Sequence, residues 1–204
     1  MSPTPESMNV SRETFDRLHL YAELLQKWNP RINLVARSTL ATLWERHILD
    51  SLQVIHLLKT PATHWADLGS GGGFPGLVVA ICAVESGNPT RVTLVESDQR
   101  KAAFLRTVLR ETGAKAEVIA KRIEETAPLR ANILSARALS DLTTLLGLAE
   151  RHLAPNATCF LHKGKNWKSE LHSARAAWNF SYDTHPSSTD SEAVILQIEG
   201  LSRV

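Results

Sequence analysis

The chain has 204 residues, of which 43% are hydrophobic and 22% charged, and its net charge is +2. These values are typical of a globular protein and exclude a disordered or collagen-like chain. No apolar run approaches the roughly 20 residues that cross a bilayer, and residues 1–9 are polar and lack the apolar stretch of a secretion signal. We therefore expect a cytoplasmic protein with no membrane partner. Cys82 and Cys159 lie far apart in apolar segments, which predicts buried thiols and no disulfide or metal site.

Basic residues are concentrated in one part of the sequence. Between Arg100 and Arg175 there are 14 Lys and Arg against 7 Asp and Glu, whereas the rest of the chain has 9 basic and 14 acidic residues. This asymmetry predicts a basic and an acidic half of the fold. Solvated helix faces give the same pattern, so the charge alone does not select a nucleic-acid partner.

Residues 1–60 are predicted to form a helical extension. Apolar residues at helical spacing follow Ser11, a good N-cap, and Asn29 and Pro30 are expected to end this first helix. A second amphipathic helix is predicted from about residue 38 to residue 58, with His47 on its inner face. Arg46 and Asp50, four residues apart, are suited to pair on that helix.

From residue 63 onward, strand patterns alternate with helix patterns. This alternation predicts a mainly parallel sheet with helices on both faces, and two adjacent C-terminal strands predict an antiparallel pair at one edge. The resulting fold is α/β, Rossmann-like and seven-stranded, within a domain of residues 61–204. Ser97 is the expected N-cap of the second of its helices. Predicted strands are 64–68, 91–95, 116–120, 132–136, 157–162, 181–185 and 193–198, and predicted helices are 76–86, 98–112, 139–153 and 167–178.

A glycine-rich turn joins the first predicted strand to the next helix. Gly69, Gly71 and Gly73 allow a sharp bend and a close approach of the backbone to a ligand. Phe74 stands where a dinucleotide-binding turn has its third glycine. With Asp67 two residues before the first glycine, this spacing suits a ligand that has an amino-acid tail, whose ammonium Asp67 would engage directly or through water.

Glu96 directly follows the second predicted strand. A carboxylate at this position can accept hydrogen bonds from both hydroxyls of a ribose. Taken together, the glycine turn and Glu96 indicate an adenosine carrying an amino-acid tail, which is the chemistry of S-adenosylmethionine.

Several segments resemble the bacterial 16S ribosomal RNA guanine-N7 methyltransferases, also called the small-subunit methyltransferase G or glucose-inhibited division protein B family. The resemblance covers about residues 12–175. One departure is Val35, where the family usually has Thr. The matching segments are Trp-Asn-Pro-Arg-Ile-Asn-Leu at 28–34, Glu-Arg-His-Ile-Leu-Asp-Ser-Leu at 45–52, Asp-Leu-Gly-Ser-Gly-Gly-Gly-Phe-Pro-Gly at 67–76, and shorter matches at 94–97, 101–105, 122–124, 136–138 and 163–164.

The resemblance implies a class I methyltransferase fold and roles for the matching residues. Ile123 and Glu124 would meet the adenine, Arg137 would lie between cofactor and substrate, and Lys163 would face the RNA. The cofactor-site candidates are thus Asp67, Gly69, Ser70, Gly71, Phe74, Glu96, Ser97, Ile123, Glu124 and Arg137. The RNA-binding candidates are His47, Arg100, Lys101, Arg122, Lys163, Lys165 and Lys168.

The implied reaction is methylation of guanine N7 in a 16S rRNA hairpin loop near the decoding region. N7 has a free lone pair, so no general base is expected, and residues 135–138 lack the Asn/Asp-Pro-Pro-aromatic motif of exocyclic-amine methyltransferases. Arg137 and Lys163 are the substrate-side catalytic candidates. The expected partner is 16S rRNA or a small ribosomal subunit particle, and the protein is expected to be a monomer.

Other interpretations of the sequence remain open. The same fold methylates small molecules or proteins, and a non-catalytic RNA binder with a vestigial cofactor site has a similar sequence pattern. A nicotinamide oxidoreductase is disfavoured by Phe74 and by the lack of a recognisable substrate domain. His47 is as well explained by packing between the helical extension and the sheet as by RNA contact.

Overall fold

The computed structural model describes residues 4–204, so the prediction for the first three residues lies outside the described part. Within these residues the chain forms seven helices of α type, seven strands and shorter helical turns. The helices are α1 Pro5–Met8, α2 Arg12–Ile32, α3 Asp50–His56, α4 Gly76–Ser86, α5 Gln99–Thr112, α6 Leu142–His152 and α7 Trp167–Ala174. The strands are β1 His64–Leu68, β2 Arg91–Val95, β3 Glu117–Ile119, β4 Ala131–Arg137, β5 Leu153–Lys163, β6 Trp178–Pro186 and β7 Val194–Arg203.

The strands form one sheet in the order β3-β2-β1-β4-β5-β7-β6. Strands β1 to β5 pair in parallel, whereas β7 pairs antiparallel with both β5 and β6. The predicted α/β class and C-terminal antiparallel pair are therefore confirmed. Because β1 lies between β2 and β4, the direction in which successive strands are added to the sheet reverses at β1. In such sheets the ligand crevice lies beyond the carboxyl ends of the strands at this reversal.

Each face of the sheet has its own hydrophobic core. Helices α2, α4 and α5 cover one face, while α6 and α7 cover the other. Residues of β1 are buried along the whole strand, as expected for a strand with helices on both sides. In the buried interior, Trp65 donates to Ser135 Oγ at 2.8 Å, and Ser135 donates to Asp67 Oδ1 at 2.7 Å.

The N-terminal helices share the core of the first face. Tyr21 and Trp28 of α2 contact Phe104 of α5 at ring-centroid distances of 6.3 and 5.7 Å. Tyr21 also donates a 2.6 Å hydrogen bond to the carbonyl of Gly72, so α2 braces the glycine-rich turn directly. Residues 4–60 thus pack onto the sheet, and their assignment as a separate extension stays a prediction.

Two predictions about the N-terminal helices are wrong. Helix α2 continues through Pro30 to Ile32, because a proline in the last turn removes few helical hydrogen bonds, and Asn33 ends it in a left-handed conformation. The second helix is not uniform, since a 3₁₀ segment, Arg37–Thr42, precedes a π-helical segment, Trp44–Leu49, and then α3. The π segment rotates the later side chains, so Asp50 faces the sheet and does not pair with Arg46.

Several predicted boundaries shift. Asp98, not Ser97, caps α5, since its side chain accepts the amides of Arg100 and Lys101. Helix α6 begins at Leu142 and ends at His152, and β5 already starts at Leu153, before Pro155. Within the described residues no helix is long and apolar enough to span a membrane.

Candidate functional site

A cavity of about 660 Å³ opens at the carboxyl ends of β1, β2 and β4. Its volume lies within the range of pockets that hold ligands of drug or cofactor size. Every predicted cofactor-site residue except Asp67 lines it. Its further lining residues are Leu34, Val35, Ala36, His47, Gly72, Val95, Lys101, Lys121, Arg122, Ala138, Leu139, Ser140, Thr144 and Leu148.

The glycine turn forms one wall of this cavity in a conformation that requires glycine. Gly69, Gly71 and Gly73 have φ values of +67°, +54° and +102°. A Cβ on Gly73 would lie 2.3 Å from Leu77 Cδ1 and 2.8 Å from the hydroxyl of Tyr21. The turn is thus bent by its glycines and held from behind by α2 and α4.

Glu96 links the glycine turn to the end of β2. Its Oε2 accepts the backbone N–H of Gly71 at 2.8 Å, and its Oε1 accepts that of Asp98 at 2.7 Å. The residue is only 8% exposed, so the carboxylate is held in one orientation at the cavity wall. Each carboxylate oxygen has a second lone pair for a ligand hydroxyl.

Asp67 lies behind the cavity wall, not on it. Its side chain is fully buried and accepts from Ser135, and its Oδ2 has no hydrogen-bond partner among the described residues. Burial raises the pKa of Asp67 to about 6. The structure keeps Asp67 off the cavity wall, so its predicted role toward a ligand ammonium, directly or through water, stays a prediction. Asp67 instead supports the turn, since the hydroxyl of Ser70 donates to its backbone carbonyl at 3.1 Å.

The residues on the cavity wall fit an adenosine with an amino-acid tail. Glu96 supplies carboxylate oxygens for ribose hydroxyls, and the glycine turn has space for a ligand where side chains would intrude. Ile123, 8% exposed, offers an apolar surface for a base beside the exposed Glu124, on the short helical turn after β3. The predicted cofactor-site residues other than Asp67 are thus brought to one cavity.

His47 contributes to the wall of the cavity through stacking. Its ring lies 5.0 Å from that of Phe74 and its Nε2 is 2.9 Å from Thr39 Oγ1. Burial, and then the nearby Arg137 guanidinium, lower the pKa of His47 to about 4, so its imidazole is neutral at pH 7. This environment favours the packing interpretation of His47 over contact with RNA phosphates.

Arg137 lies at the carboxyl end of β4 and is largely buried. Its Nη2 donates to the carbonyl of Arg46 at 2.8 Å, and its guanidinium lies 5.8 Å from the ring centre of Phe74. Its Nε is 3.8 Å from Asp50 Oδ2, while its Nη1 is buried and has no acceptor among the described residues. A guanidinium held in this way has hydrogen-bonding capacity left for a ligand.

Lys163, which was expected to face the RNA, is buried and paired at the end of β5. It is 7% exposed, and its Nζ donates to Glu170 Oε2 and to the carbonyl of Ser140, both at 2.7 Å. Glu170 Oε2 also accepts the amide of Leu142. Lys163 therefore fixes the start of α6 beside the cavity, and its predicted contact with RNA stays a prediction.

The other predicted RNA-binding residues are divided between the cavity rim and more distant surface. Lys101 and Arg122 line the cavity, together with Lys121, which the sequence analysis did not single out. Arg100 is exposed and pairs with Asp98, while Lys165 and Lys168 are exposed around the start of α7. Lys101, Lys121 and Arg122, called the rim cations below, are thus the members of this group that adjoin the cavity.

A second, smaller cavity of about 220 Å³ adjoins the first. Arg137 and Ala138 line both, so the end of β4 separates them. Sequence reasoning missed most of its residues, although Asp50 belongs to the Arg-His-x-x-Asp-Ser segment that carries the family resemblance. Its other lining residues are Arg46, Asp50, His162, Lys163, Gly164, Ser187, Thr189, Asp190, Ala193 and Val194.

Solved structures share this fold. A SAM-dependent methyltransferase from Aquifex aeolicus superposes with a TM-score of 0.59, 13% identity, and coverage of 78% of this chain and 92% of that one. The N-methyltransferase NodS from Bradyrhizobium japonicum, solved with S-adenosyl-L-homocysteine, gives a TM-score of 0.56 at 13% identity over 88% and 97% of the two chains. Both confirm the methyltransferase type of Rossmann-like fold.

Sequence comparisons identify the family. The model of the GidB family, described as rRNA small subunit methyltransferase G, matches residues 14–196. A ribosomal RNA small subunit methyltransferase G from Ruegeria pomeroyi is 55% identical over the full length of both chains. One from Paracoccus denitrificans is 50% identical over 95% of this chain and 98% of its own. This chain belongs to the rRNA small subunit methyltransferase G family.

Proposed function

We propose that this protein transfers a methyl group from S-adenosylmethionine to N7 of a guanine in 16S rRNA, in a hairpin loop near the decoding region. Family membership supports the reaction class and the rRNA substrate. The observation that carries the proposal is the carboxylate of Glu96, fixed by the amide of Gly71 at the wall of a cofactor-sized cavity.

The first cavity is the proposed cofactor site. Glu96 would hold the ribose, the amides of the glycine turn would hold the amino-acid tail, and Ile123 would pack against the adenine. Bound S-adenosylmethionine supplies a methyl group on a positively charged sulfur, whose transfer forms one C–N bond, breaks one C–S bond and moves the charge onto the purine. The chain's own contribution is to align the reactants and exclude water.

Nitrogen N7 suits the groups at the substrate side of this cavity. The residue there is Arg137, a cation that cannot accept a proton. An exocyclic amine loses a proton on methylation, whereas N7 attacks with a free lone pair and loses none. The neutral His47 is a weak base with a pKa of about 4, and its Nε2 is already engaged by Thr39.

The rim cations Lys101, Lys121 and Arg122 are the proposed contacts to RNA phosphates. Such contacts make affinity fall with rising salt, in proportion to the number of phosphates neutralised. Sequence-specific RNA recognition favours unstacked loop bases, which agrees with a hairpin target. This small basic footprint also favours folded 16S rRNA or a partly assembled small subunit as substrate. We infer that the protein acts as a monomer in the cytoplasm.

The test is methylation of 16S rRNA from cells that lack this protein. Purified protein with labelled S-adenosylmethionine is expected to label one guanine, and borohydride–aniline cleavage, which is specific for N7-methylguanosine, is expected to cut the RNA there. Label in another nitrogen, in protein or in small molecules would overturn the proposed target. Binding of RNA without any transfer of label would favour the non-catalytic alternative.

A further inference from the structure

The second cavity contains a buried carboxylate with one unused oxygen. Asp50 is 6% exposed, and its Oδ1 accepts from the hydroxyl of Ser187 at 2.9 Å. Its Oδ2 lies 3.6 Å from His162 Nε2 and 3.8 Å from Arg137 Nε, distances too long for hydrogen bonds. Among the described residues no group donates a hydrogen bond to this oxygen. Asp50 lines the second cavity, so a ligand donor placed there can form a charge-assisted hydrogen bond with this oxygen.

Asp50 Oδ2 and the Arg137 guanidinium together present an acceptor beside a donor. Guanine carries the complementary pair on adjacent atoms, since O6 accepts a hydrogen bond and N1–H donates one. Adenine has the opposite pair, an amine that donates at position 6 and a bare N1 that accepts. The two side chains therefore match guanine as cytosine does in a base pair. Against adenine, the Arg137 donor would face the donor amine and the Asp50 acceptor would face the acceptor N1.

The position of Arg137 also fixes the orientation of such a base. Arg137 lines both cavities, and O6 lies on the same edge of guanine as N7. A guanine whose O6 meets Arg137 thus turns N7 toward the first cavity and N1 toward Asp50. Enzymes that modify a base take it out of the stack into a pocket that contacts its Watson–Crick edge.

We propose that the second cavity holds the target guanine, with the Arg137 guanidinium donating to O6 and Asp50 Oδ2 accepting the hydrogen bond of N1–H. This inference rests on the proposed function and assigns Asp50 as the residue that distinguishes guanine from adenine. The N2 amine receives no partner from Asp50, because Oδ1 already accepts from Ser187 at 2.9 Å and from Thr189 at 3.4 Å.

The first test changes the target base and leaves the protein intact. The wild-type protein is assayed on ligated 16S rRNA that carries guanosine, inosine, 1-methylguanosine or adenosine at the position labelled in the mapping experiment. Inosine keeps O6, N1–H and N7, so its kcat/KM is expected within about threefold of guanosine. 1-Methylguanosine and adenosine are expected to fall by roughly 10- to 100-fold. Efficient methylation of 1-methylguanosine, or rejection of inosine, would overturn the assignment.

The second test uses Asp50→Asn with Gln53→Ala as its matched control. Gln53 binds the same loop, through the carbonyl of Pro186 and the amide of Ser188, but does not line the cavity. Asp50→Asn is expected to lower kcat/KM for guanosine by roughly 10- to 100-fold and to reduce the guanosine-to-adenosine ratio. Gln53→Ala is expected to leave that ratio unchanged.

The two proposals fail in different ways. If Asp50→Asn keeps both kcat/KM and base discrimination, or if Gln53→Ala lowers the ratio equally, the guanine subsite is wrong while N7 methylation stands. Calorimetry with S-adenosylmethionine and thermal unfolding verify that each variant folds and retains the first cavity. Should Asp50→Asn fail to fold, the base series with wild-type protein decides the matter alone.

Discussion

Glu96 and Gly71 are joined by a 2.8 Å hydrogen bond from the backbone amide of Gly71 to the carboxylate of Glu96. The bond ties the turn after β1 to the end of β2, two adjacent parallel strands. Because both groups line the cavity, the ribose-binding carboxylate and the backbone that would hold the amino-acid tail are set at a fixed separation.

Glu96→Gln is expected to weaken S-adenosylmethionine binding. The amide nitrogen of Gln would face the N–H of either Gly71 or Asp98, so one charge-assisted hydrogen bond is lost together with the charge itself. The dissociation constant from calorimetry should rise roughly 10- to 100-fold. Glu117→Gln, an exposed change on edge strand β3, is the control. An unchanged dissociation constant for Glu96→Gln would remove Glu96 from the cofactor site.

Two glycine-to-alanine changes are expected to alter stability in opposite directions. Gly73→Ala forces an alanine into φ +102° with its Cβ 2.3 Å from Leu77, so the free energy of unfolding should fall by about 3 kcal/mol. In Gly147→Ala, which lies inside α6, the new Cβ would be 3.5 Å from Trp178, an ordinary contact. This change should raise the free energy of unfolding by about 0.5–1 kcal/mol. Urea unfolding measures both. Equal effects would contradict the described backbone of the glycine turn.

His47 is expected to make stability fall in mild acid. Unfolded histidine titrates near 6.5 and folded His47 near 4, so the unfolded chain binds more protons between these pH values. The stabilisation is complete above pH 6.5 and is lost as pH falls toward 4. In His47→Gln the decrease in unfolding free energy between pH 7 and 4.5 should be smaller than in wild type.

The control for this titration is His56→Gln, whose imidazole is exposed. The pKa of Asp67 is raised to about 6, so its protonation makes the folded state more stable as the pH falls, opposite to the effect of His47. Because this contribution is the same in all three proteins, the comparison isolates His47. If the unfolding free energies of wild type and His47→Gln fall in parallel as the pH is lowered, the description of His47 as a buried, neutral imidazole is wrong.

Arg137→Ala is expected to reduce both turnover and stability. Loss of the guanidinium leaves Asp50 buried without its neighbouring cation, which should cost about 3 kcal/mol of unfolding free energy. Turnover per folded molecule should fall at least about 100-fold, since among the described residues no other cation lines both cavities. S-Adenosylmethionine affinity should change much less. Turnover within a few-fold of wild type would show that Arg137 does not lie beside the reacting base.

Lys163→Met and Lys168→Met are expected to separate a structural lysine from a surface one. Lys163→Met leaves Glu170 without its cation, with only the amide of Leu142 as donor, and should cost about 2 kcal/mol of unfolding free energy, between the values for surface and buried pairs. Lys168→Met should leave stability within about 0.5 kcal/mol. Thermal unfolding compares the two variants. A stable Lys163→Met protein whose RNA binding depends less on salt than that of wild type would support the contact with RNA that the sequence suggested.

The central strands were predictable because their signals are local. His64–Leu68 and Arg91–Val95 are short apolar segments bounded by turn residues, and the predicted and observed limits coincide. Gly87 and Gly113 likewise end α4 and α5 in the left-handed conformation that favours glycine. Sequence patterns of this kind depend on neighbouring residues only.

Features that depend on tertiary contacts were not predictable. The π-helical segment Trp44–Leu49 makes tertiary contacts through His47, which stacks on Phe74, and through the carbonyl of Arg46, which accepts from Arg137. Its sequence fits an ordinary amphipathic helix equally well. Strand β5 extends back to Leu153 because it pairs there with Ala131 of β4. Local sequence around Pro155 gives no sign of that pairing.

The residues of the site show the same distinction between features set by local sequence and features set by tertiary contacts. Gly69 and Glu96 follow strands directly, so their positions at the sheet edge could be inferred from chain order. The partners of the buried Lys163 and Asp50 come from α7 and from the loop before β7, and no spacing in the sequence reveals them. The burial of Asp67 next to Ser135 of β4 is likewise a tertiary feature that local sequence does not reveal.

A crystal structure of the protein with S-adenosylhomocysteine is the most direct measurement. The ribose hydroxyls are expected within hydrogen-bonding distance of the Glu96 carboxylate, with the amino-acid tail against the turn of Gly69 and Gly71 and the sulfur directed toward Arg137. A nucleoside bound outside this cavity, or a ribose that does not contact Glu96, would contradict the proposed site.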